Sequence, residues 1–322
     1  MGSDPIALPL LDWLAGEGGT LAAVVAVYTQ PDLPAGRGQQ VAAGPVKQWA
    51  GARGLPVRQP EKVTADERAW VAALGADVLL VMAYGHLLGD ELIATPRLGT
   101  LNLHASLLPK YRGASPIQSA IAGGERETGV TLMRIVRRMD AGPVADRERV
   151  HIGPLDCAPE IERRLAQACV PLLARALPRL RDGALAFSPQ DESQASYCRR
   201  LTKADGGLDF RAPAAVLAAR INGLHPWPGC AVEIGGQTVK IGLADAPVGG
   251  AGTPDAPGAV LGADGEGLLV ATGAGRLRLR RLQRPGGRML PAAEFLRGLP
   301  VPAGTGLPSH PMTVLAGPEP FR

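Results

Sequence analysis

Residues Leu101–Gly142 read LNLHASLLPKYRGASPIQSAIAGGERETGVTLMRIVRRMDAG. The apolar run Leu98–Leu103 has the length and composition of a buried strand, and polar side chains begin where it ends. Asn102 and His104 are two apart, so on extended backbone they leave the same face. The carboxyl ends of strands are where an open α/β sheet places its ligand. Asp140 follows later in the stretch, just ahead of the Gly142-Pro143 turn. An amide can donate to a developing oxyanion, an imidazole can carry a proton, and a carboxylate can orient that imidazole. Singly, each has a plain structural reading: Asn102 as a turn cap, His104 as a core imidazole, Asp140 as an Asx turn. Together they suit acyl transfer to an amine.

Outward from this stretch, apolar runs alternate with amphipathic ones. Leu21–Tyr28 and Ala76–Met82 read as buried strands, and Pro45–Arg53 and Asp66–Leu74 as helices. Gly129–Ile135 and Val144–Ile152 read as strands flanking the Asp140 turn. Apolar residues from Ile161 to Leu180 recur at helical spacing, which predicts one helix over Pro159–Leu180, bent near Pro171. The alternation predicts an α/β fold with a Rossmann-like, doubly wound, mostly parallel sheet. Phe187–Lys203 is polar and aperiodic, as a linker would be. Beyond a helix at Pro213–Gly223, five short runs are punctuated by Gly and Pro: Cys230–Ile234, Thr238–Leu243, Gly258–Val260, Leu268–Thr272 and Arg276–Leu282. That spacing predicts a small antiparallel barrel. The expected division is a catalytic domain over 1–185, a linker over 186–203 and a barrel domain over 204–322, with the Pro-rich tail after Val301 loosely ordered.

A length of 322 residues suits about two domains. Net charge is +4, and from Leu201 onward 12 Lys or Arg face 9 Asp or Glu, so most of the excess lies in the C-terminal part. There Arg276, Arg278 and Arg280 alternate with Leu277 and Leu279, placing three guanidinium groups on one strand face. This is either a solvent face or a basic stripe for a polyanion, with Arg281, Arg284 and Arg288 nearby. The four cysteines show no Cys-x-x-Cys pairing, which suggests neither a zinc site nor a disulfide framework but reduced, buried thiols. No signal peptide and no apolar run of about 18 residues is apparent, so a cytoplasmic protein with no membrane association is expected.

Asn102-Leu103-His104, Ser106–Pro109, Tyr111–Pro116 and Met139–Pro143, in that order, resemble the signature of the folate-dependent formyltransferases. Gln30–Gly38 with Pro45-Val46-Lys47 is similar to the loop by which the members acting on methionyl-tRNA engage the acceptor end of the initiator. Ala83-Tyr84-Gly85, Pro96–Gly99, Leu201-Thr202-Lys203, Pro226-Trp227-Pro228 and Leu282-Gln283 with Gly286-Gly287-Arg288 extend the resemblance over nearly the whole chain. It implies 10-formyltetrahydrofolate as co-substrate, initiator methionyl-tRNA as partner, no metal, a monomer and an OB-like C-terminal domain. It implies Asn102, His104 and Asp140 as catalytic residues, and Ser106, Leu107, Leu108, Pro109, Tyr84 and Gly85 as the folate site. Arg37 is implied in tRNA contact, although Gln39 and Gln40 stand where the family usually has lysines. Lys110 and Arg112 are solvated charges or contacts to folate or tRNA anions.

Sister enzymes formylate small amines, and a related hydrolase passes the formyl group to water; a non-catalytic RNA-binding remnant is a further alternative. Gly2–Ala7 matches the turn that normally follows the family's first strand. A missing central strand, from a start codon placed too far downstream, is therefore expected.

Overall fold

The strand that carries Asn102 and His104 is the second of four in a mixed sheet. In the computed structural model, which describes residues 1–35, 40–248 and 255–321, β1 (Val27–Tyr28) pairs in parallel with β2 (Val57–Arg58). β3 (Leu79–Val81) pairs in parallel with β4 (Thr100–His104), with Val81 opposite Asn102. β5 (Glu127–Arg134) runs antiparallel to β4, with His104 opposite Thr131, and β6 (Val144–His151) lies beyond it. Val130, Leu132 and Met133 of β5 are all but fully buried; a central strand covered on both faces reads as a continuous apolar run.

The two parallel pairs are not joined into one sheet. Between them runs the backbone of Met1–Ser3: Gly2 N donates to the Tyr28 carbonyl at 2.9 Å, Met82 N to the Met1 carbonyl at 2.9 Å, and Ser3 N to the Ala83 carbonyl at 3.1 Å. Alongside, Leu10, Leu14, Val25, Val71 and Leu103 border an apolar cavity of about 400 Å³. The expected strand Leu21–Tyr28 is therefore cut back to Val27–Tyr28, because residues 21–26 line that cavity instead of a neighbouring strand. A ladder needs partners.

The long helix Ala158–Arg181 lies within two residues of its expected bounds at either end and passes through both Pro171 and Pro178. Ile161, Leu165, Leu172, Ala176 and Leu180 form its buried stripe. Helices Pro45–Gly51 and Ala65–Ala73 stand as expected. Leu8–Ala15, Pro116–Ala122 and Ala292–Gly298 are helices that periodicity did not reveal.

The chain divides into two compact units that interleave in sequence. One comprises Met1–Arg112, Gly129–Val150 and Glu162–Ala195; the other Gly113–Thr128, His151–Ile161 and Ser196–Arg322. The second is built on β7 (Cys230–Ile234), β8 (Gln237–Asp245), β9 (Val260–Ala263), β10 (Leu268–Ala271) and β11 (Arg276–Gln283), antiparallel in the order β7-β8-β11-β10-β9. Register shifts between β8 and β11, and between β9 and β10, mark bulges that curl the sheet. Leu217, Ile221 and Leu224 of helix Ala214–Leu224 share its core with Val239, Ile241 and Leu279.

The tail after Val301 is ordered, contrary to expectation. Leu307 and Leu315 are buried, Thr313 Oγ1 donates to Asp205 at 2.5 Å, and Ala316–Gly317 pairs with Tyr197–Cys198. Nor is Phe187–Lys203 a bare linker, since Gln190 and Cys198 within it are buried.

Candidate active site

On β4 the alternation of the strand sorts the side chains: Leu101 and Leu103 are buried, while Asn102 is half-buried on the face it shares with His104. The Asn102 carboxamide makes no side-chain hydrogen bond to any described residue. His104 is 7% exposed and is held through Nε2, 2.9 Å from the Tyr111 carbonyl oxygen. A carbonyl can only accept, so in this contact Nε2 carries the hydrogen, and the neutral ring keeps its lone pair on Nδ1. Nδ1 stands 3.7 Å from Asp140 Oδ2, too long for a hydrogen bond. The Asn, His and Asp singled out in the sequence thus lie within one unit, with His104 and Asp140 side by side.

Two residues here hold left-handed backbone without being glycine: Tyr111, at φ +59°, and Asp140, at φ +49°. Such conformations cost about 1–3 kcal/mol and persist where surrounding structure imposes them. The Tyr111 side follows a stapled turn. Ser106 Oγ donates to the Lys110 carbonyl at 2.6 Å, and Thr131 Oγ1 donates to the Ser106 carbonyl at 2.6 Å while accepting from Leu108 N at 3.1 Å. Arg147 donates to the Leu108 carbonyl at 2.9 Å. On the Asp140 side, a Cβ at Gly142 would stand 1.8 Å from the Arg134 carbonyl oxygen, so only glycine lets these backbones approach. Tyr111 and Thr131 carry no catalytic signature in the sequence; the β4–β5 register could have placed Thr131 beside His104.

Arg112 is not a solvated charge. It is fully buried, with Nη2 2.8 Å from Gln190 Oε1 and 2.9 Å from Glu192 Oε1. Ser106 is fully buried with its hydroxyl engaged. Leu108 packs with Met133 and Val144, and the Tyr84 ring with Tyr28, Leu79, Val81 and Leu92. Burial pushes the Tyr84 hydroxyl up to about 12. Of the six residues implied for folate, Leu107, Pro109 and Gly85 keep accessible surface. Gly85 has φ +83°, and a Cβ there would meet Gln30 Nε2 at 2.4 Å.

Arg37 lies outside the described residues. On β11, Arg278 Nη2 contacts Asp245 at 2.7 Å, and its Nη1 contacts Asp264 at 3.1 Å and also Glu266. Arg280 reaches Asp245 at 3.1 Å and Glu266 at 3.0 Å. Arg276 buries its Nε with no partner among the described residues. The alternation on β11 is as read, but its middle arginines are neutralised from within; Arg281 and Arg288 are exposed. Among the described residues no group of three or more His, Cys, Asp or Glu side chains could hold a metal ion. The four cysteines are buried free thiols, and burial pushes Cys157, Cys169 and Cys230 up to about 12. No helix of the described residues is long and apolar enough to cross a membrane.

Comparison with known proteins places the chain in a family. The formyl transferase family model matches residues 6–177, a span that includes Asn102, His104 and Asp140, and the model of the formyl transferase C-terminal domain matches residues 200–300. The chain belongs to the formyltransferase family. Among similar formyltransferases, the methionyl-tRNA formyltransferase of Aromatoleum aromaticum is 43% identical over 86% of this chain and 87% of its own. That of Gluconobacter oxydans is 42% identical over 95% and 98%. Among solved structures, the sugar 3N-formyl transferase WlaRD superposes with a TM-score of 0.64 at 16% identity, covering 88% of this chain and 95% of that one. HypX from Aquifex aeolicus, crystallised with tetrahydrofolic acid, superposes with a TM-score of 0.54 at 20% identity over 76% and 43%. At these identities the solved structures establish a shared fold.

Proposed function

We propose that the protein transfers the formyl group of 10-formyltetrahydrofolate to the α-amino group of methionine esterified to initiator tRNA. The observation that carries this reading is His104 Nδ1 lying 3.7 Å from Asp140, on the same strand face as an amide with no partner among the described residues. The folate supplies an activated formyl carbon. Asn102 donates a hydrogen bond where negative charge develops on the formyl oxygen, a contact worth about 3 kcal/mol when preorganised. His104 Nδ1 takes the proton that the attacking amine must lose, and Asp140 compensates the imidazolium so formed. Tyr111 holds the ring through its carbonyl, so the tautomer presenting a basic Nδ1 is set before substrate arrives. Leu107, Pro109 and Gly85 border the folate; Ser106 and Leu108 keep the turn in shape.

Initiator tRNA is favoured over the sister amines by identity. The relatives named methionyl-tRNA formyltransferase match at 41–44%, the sugar formyltransferases at 14–18%. Arg37 and the arginines on and after β11 meet the tRNA; Arg281 and Arg288 are the most available, whereas Arg278 and Arg280 would have to leave their carboxylates. A methionyl-tRNA substrate places the reaction where translation runs, in the cytoplasm, and the protein acts as a monomer.

The test is to incubate the protein with 10-formyltetrahydrofolate and, in separate reactions, methionyl initiator tRNA, a nucleotide-linked amino sugar, or water alone. N-formylmethionyl-tRNA is expected. Formylation of the amino sugar alone, or release of formate without an amine, would overturn the reading.

A further inference from the structure

Gln190 sits in the polar stretch that reads as a linker, yet it is buried and its carboxamide is held at both ends. Its Nε2 donates to the Asp140 carbonyl at 2.8 Å and to the Gly142 carbonyl at 2.8 Å. Its Oε1 accepts from Arg112 Nη2 at 2.8 Å and Nε at 3.2 Å. A guanidinium has only donors, so buried Arg112 dictates that the amide oxygen faces it and that the amide nitrogen faces the Asp140 turn. Glu192 closes the arrangement from outside, meeting Arg112 at 2.9 Å and Arg138, on the same turn as Asp140, at 2.7 Å.

We propose that Gln190 is a positioning residue for Asp140: with Arg112 fixing its orientation, it clamps the two carbonyls that bracket Ala141 and so holds Asp140 in its left-handed conformation beside His104. The inference rests on the proposed role of Asp140 as the charge partner of His104. Geometry supports it on three counts. The clamp grips the carbonyl of the very residue at φ +49° and that of Gly142, two positions on. Neither of the two amide protons is left over for another task. The residues supplying the clamp touch neither His104 nor Asn102 in any contact described. A carboxylate at position 190 keeps the partner that Arg112 needs and has nothing to donate to the two carbonyls.

Gln190→Glu therefore separates positioning from folding. We expect the turnover rate for methionyl-tRNA to fall at least tenfold with KM for both substrates within twofold, and the melting temperature to stay close to that of the parent. Amide hydrogen exchange over residues 138–143, measured without substrate, should accelerate at least tenfold. Glu192→Gln, which weakens the outer ion pairs and leaves the clamp intact, should keep turnover within twofold. Should Gln190→Glu lower stability too far to assay, Gln190→Met serves in its place; because it also removes an acceptor from Arg112, only turnover per folded molecule and the exchange over residues 138–143 are compared, with the same expected changes. Unchanged turnover and exchange in the Gln190 variant, or an equal loss in Glu192→Gln, would overturn the proposal. If the parent protein forms no N-formylmethionyl-tRNA, the functional reading fails instead, and the exchange measurement still judges the clamp.

Discussion

The loops after β4 and β5 and the strand β11 both carry closely spaced polar side chains, and they use them in opposite ways. At the end of β4 and in these loops the chemically useful atoms are left open: the Asn102 amide has no described partner, and His104 Nδ1 faces Asp140 beyond hydrogen-bond range at 3.7 Å. Support there falls to other residues, namely the Tyr111 carbonyl, Thr131, Arg147 and Gln190. On β11 the guanidinium donors of Arg278 and Arg280 are turned onto Asp245, Asp264 and Glu266. Residue type and spacing locate polar chemistry, but availability decides whether it is functional. Availability depends on partners remote in sequence.

If that contrast holds, removing an open group reduces activity and spares the fold. His104→Ala should lower turnover by about 10²–10⁴ and Asn102→Ala by about 10²–10³, with unfolding midpoints in urea close to the parent's.

Removing an engaged group should do the reverse. Asp205 is fully buried, at 2.5 Å from Arg199 and within a capping box with Thr202. The Arg199 guanidinium holds its carboxyl far below the usual carboxylate range. A carboxyl depressed on folding contributes stability that is complete above its unfolded value of about 3.9 and declines as pH falls through the folded value. Asp205→Asn should lose about 3 kcal/mol at pH 7, the lower end for breaking a buried pair because Arg199 remains partly solvated. Its urea midpoint should vary less between about pH 4 and pH 2 than the parent's. Turnover per folded molecule should be unchanged.

Smaller effects sharpen the contrast within β11 itself. Arg278 is only 12% exposed in its side chain, and Arg278→Ala takes from Asp245 the nearer of its two guanidinium partners and from Asp264 its guanidinium contact. A loss of about 1–3 kcal/mol is expected in urea unfolding, with little change in the salt dependence of tRNA affinity. Arg281→Ala or Arg288→Ala should each lower the slope of log affinity against log salt by about 1 and leave stability alone. A salt slope that responds to Arg278 and ignores Arg281 and Arg288 would reverse the assignment.

The parts legible in sequence were those with many repeats of a period or an unusual set of residue types. Helix Ala158–Arg181 shows its stripe over 24 residues, and β7 coincides with the expected Cys230–Ile234. Helices Pro116–Ala122 and Ala292–Gly298, at 7 residues each, complete two turns and leave no clear period. β9 starts at Val260 instead of spanning Gly258–Val260, because its bounds follow from pairing with Leu268–Ala271. At the site, Asn102, His104 and Asp140 stand out because amide, imidazole and carboxylate share one motif. The Tyr111 carbonyl does not, since a backbone acceptor has no side-chain signal. Gln190 was hidden by distance, 50 residues from Asp140, in a stretch whose polarity suggested solvent. The tail after Val301 was misread for a related reason: its few apolar anchors, Leu307 and Leu315, are too sparse to form a pattern.

The pairing of His104 with Asp140 is tested most directly by the single-turnover rate of methionyl-tRNA formylation in Asp140→Asn, with both substrates saturating. The substituted amide keeps the shape of the side chain and removes the charge. A rate at least about a hundredfold below the parent's, with an unchanged circular dichroism spectrum and melting temperature, is predicted. A rate within threefold of the parent's would contradict the account.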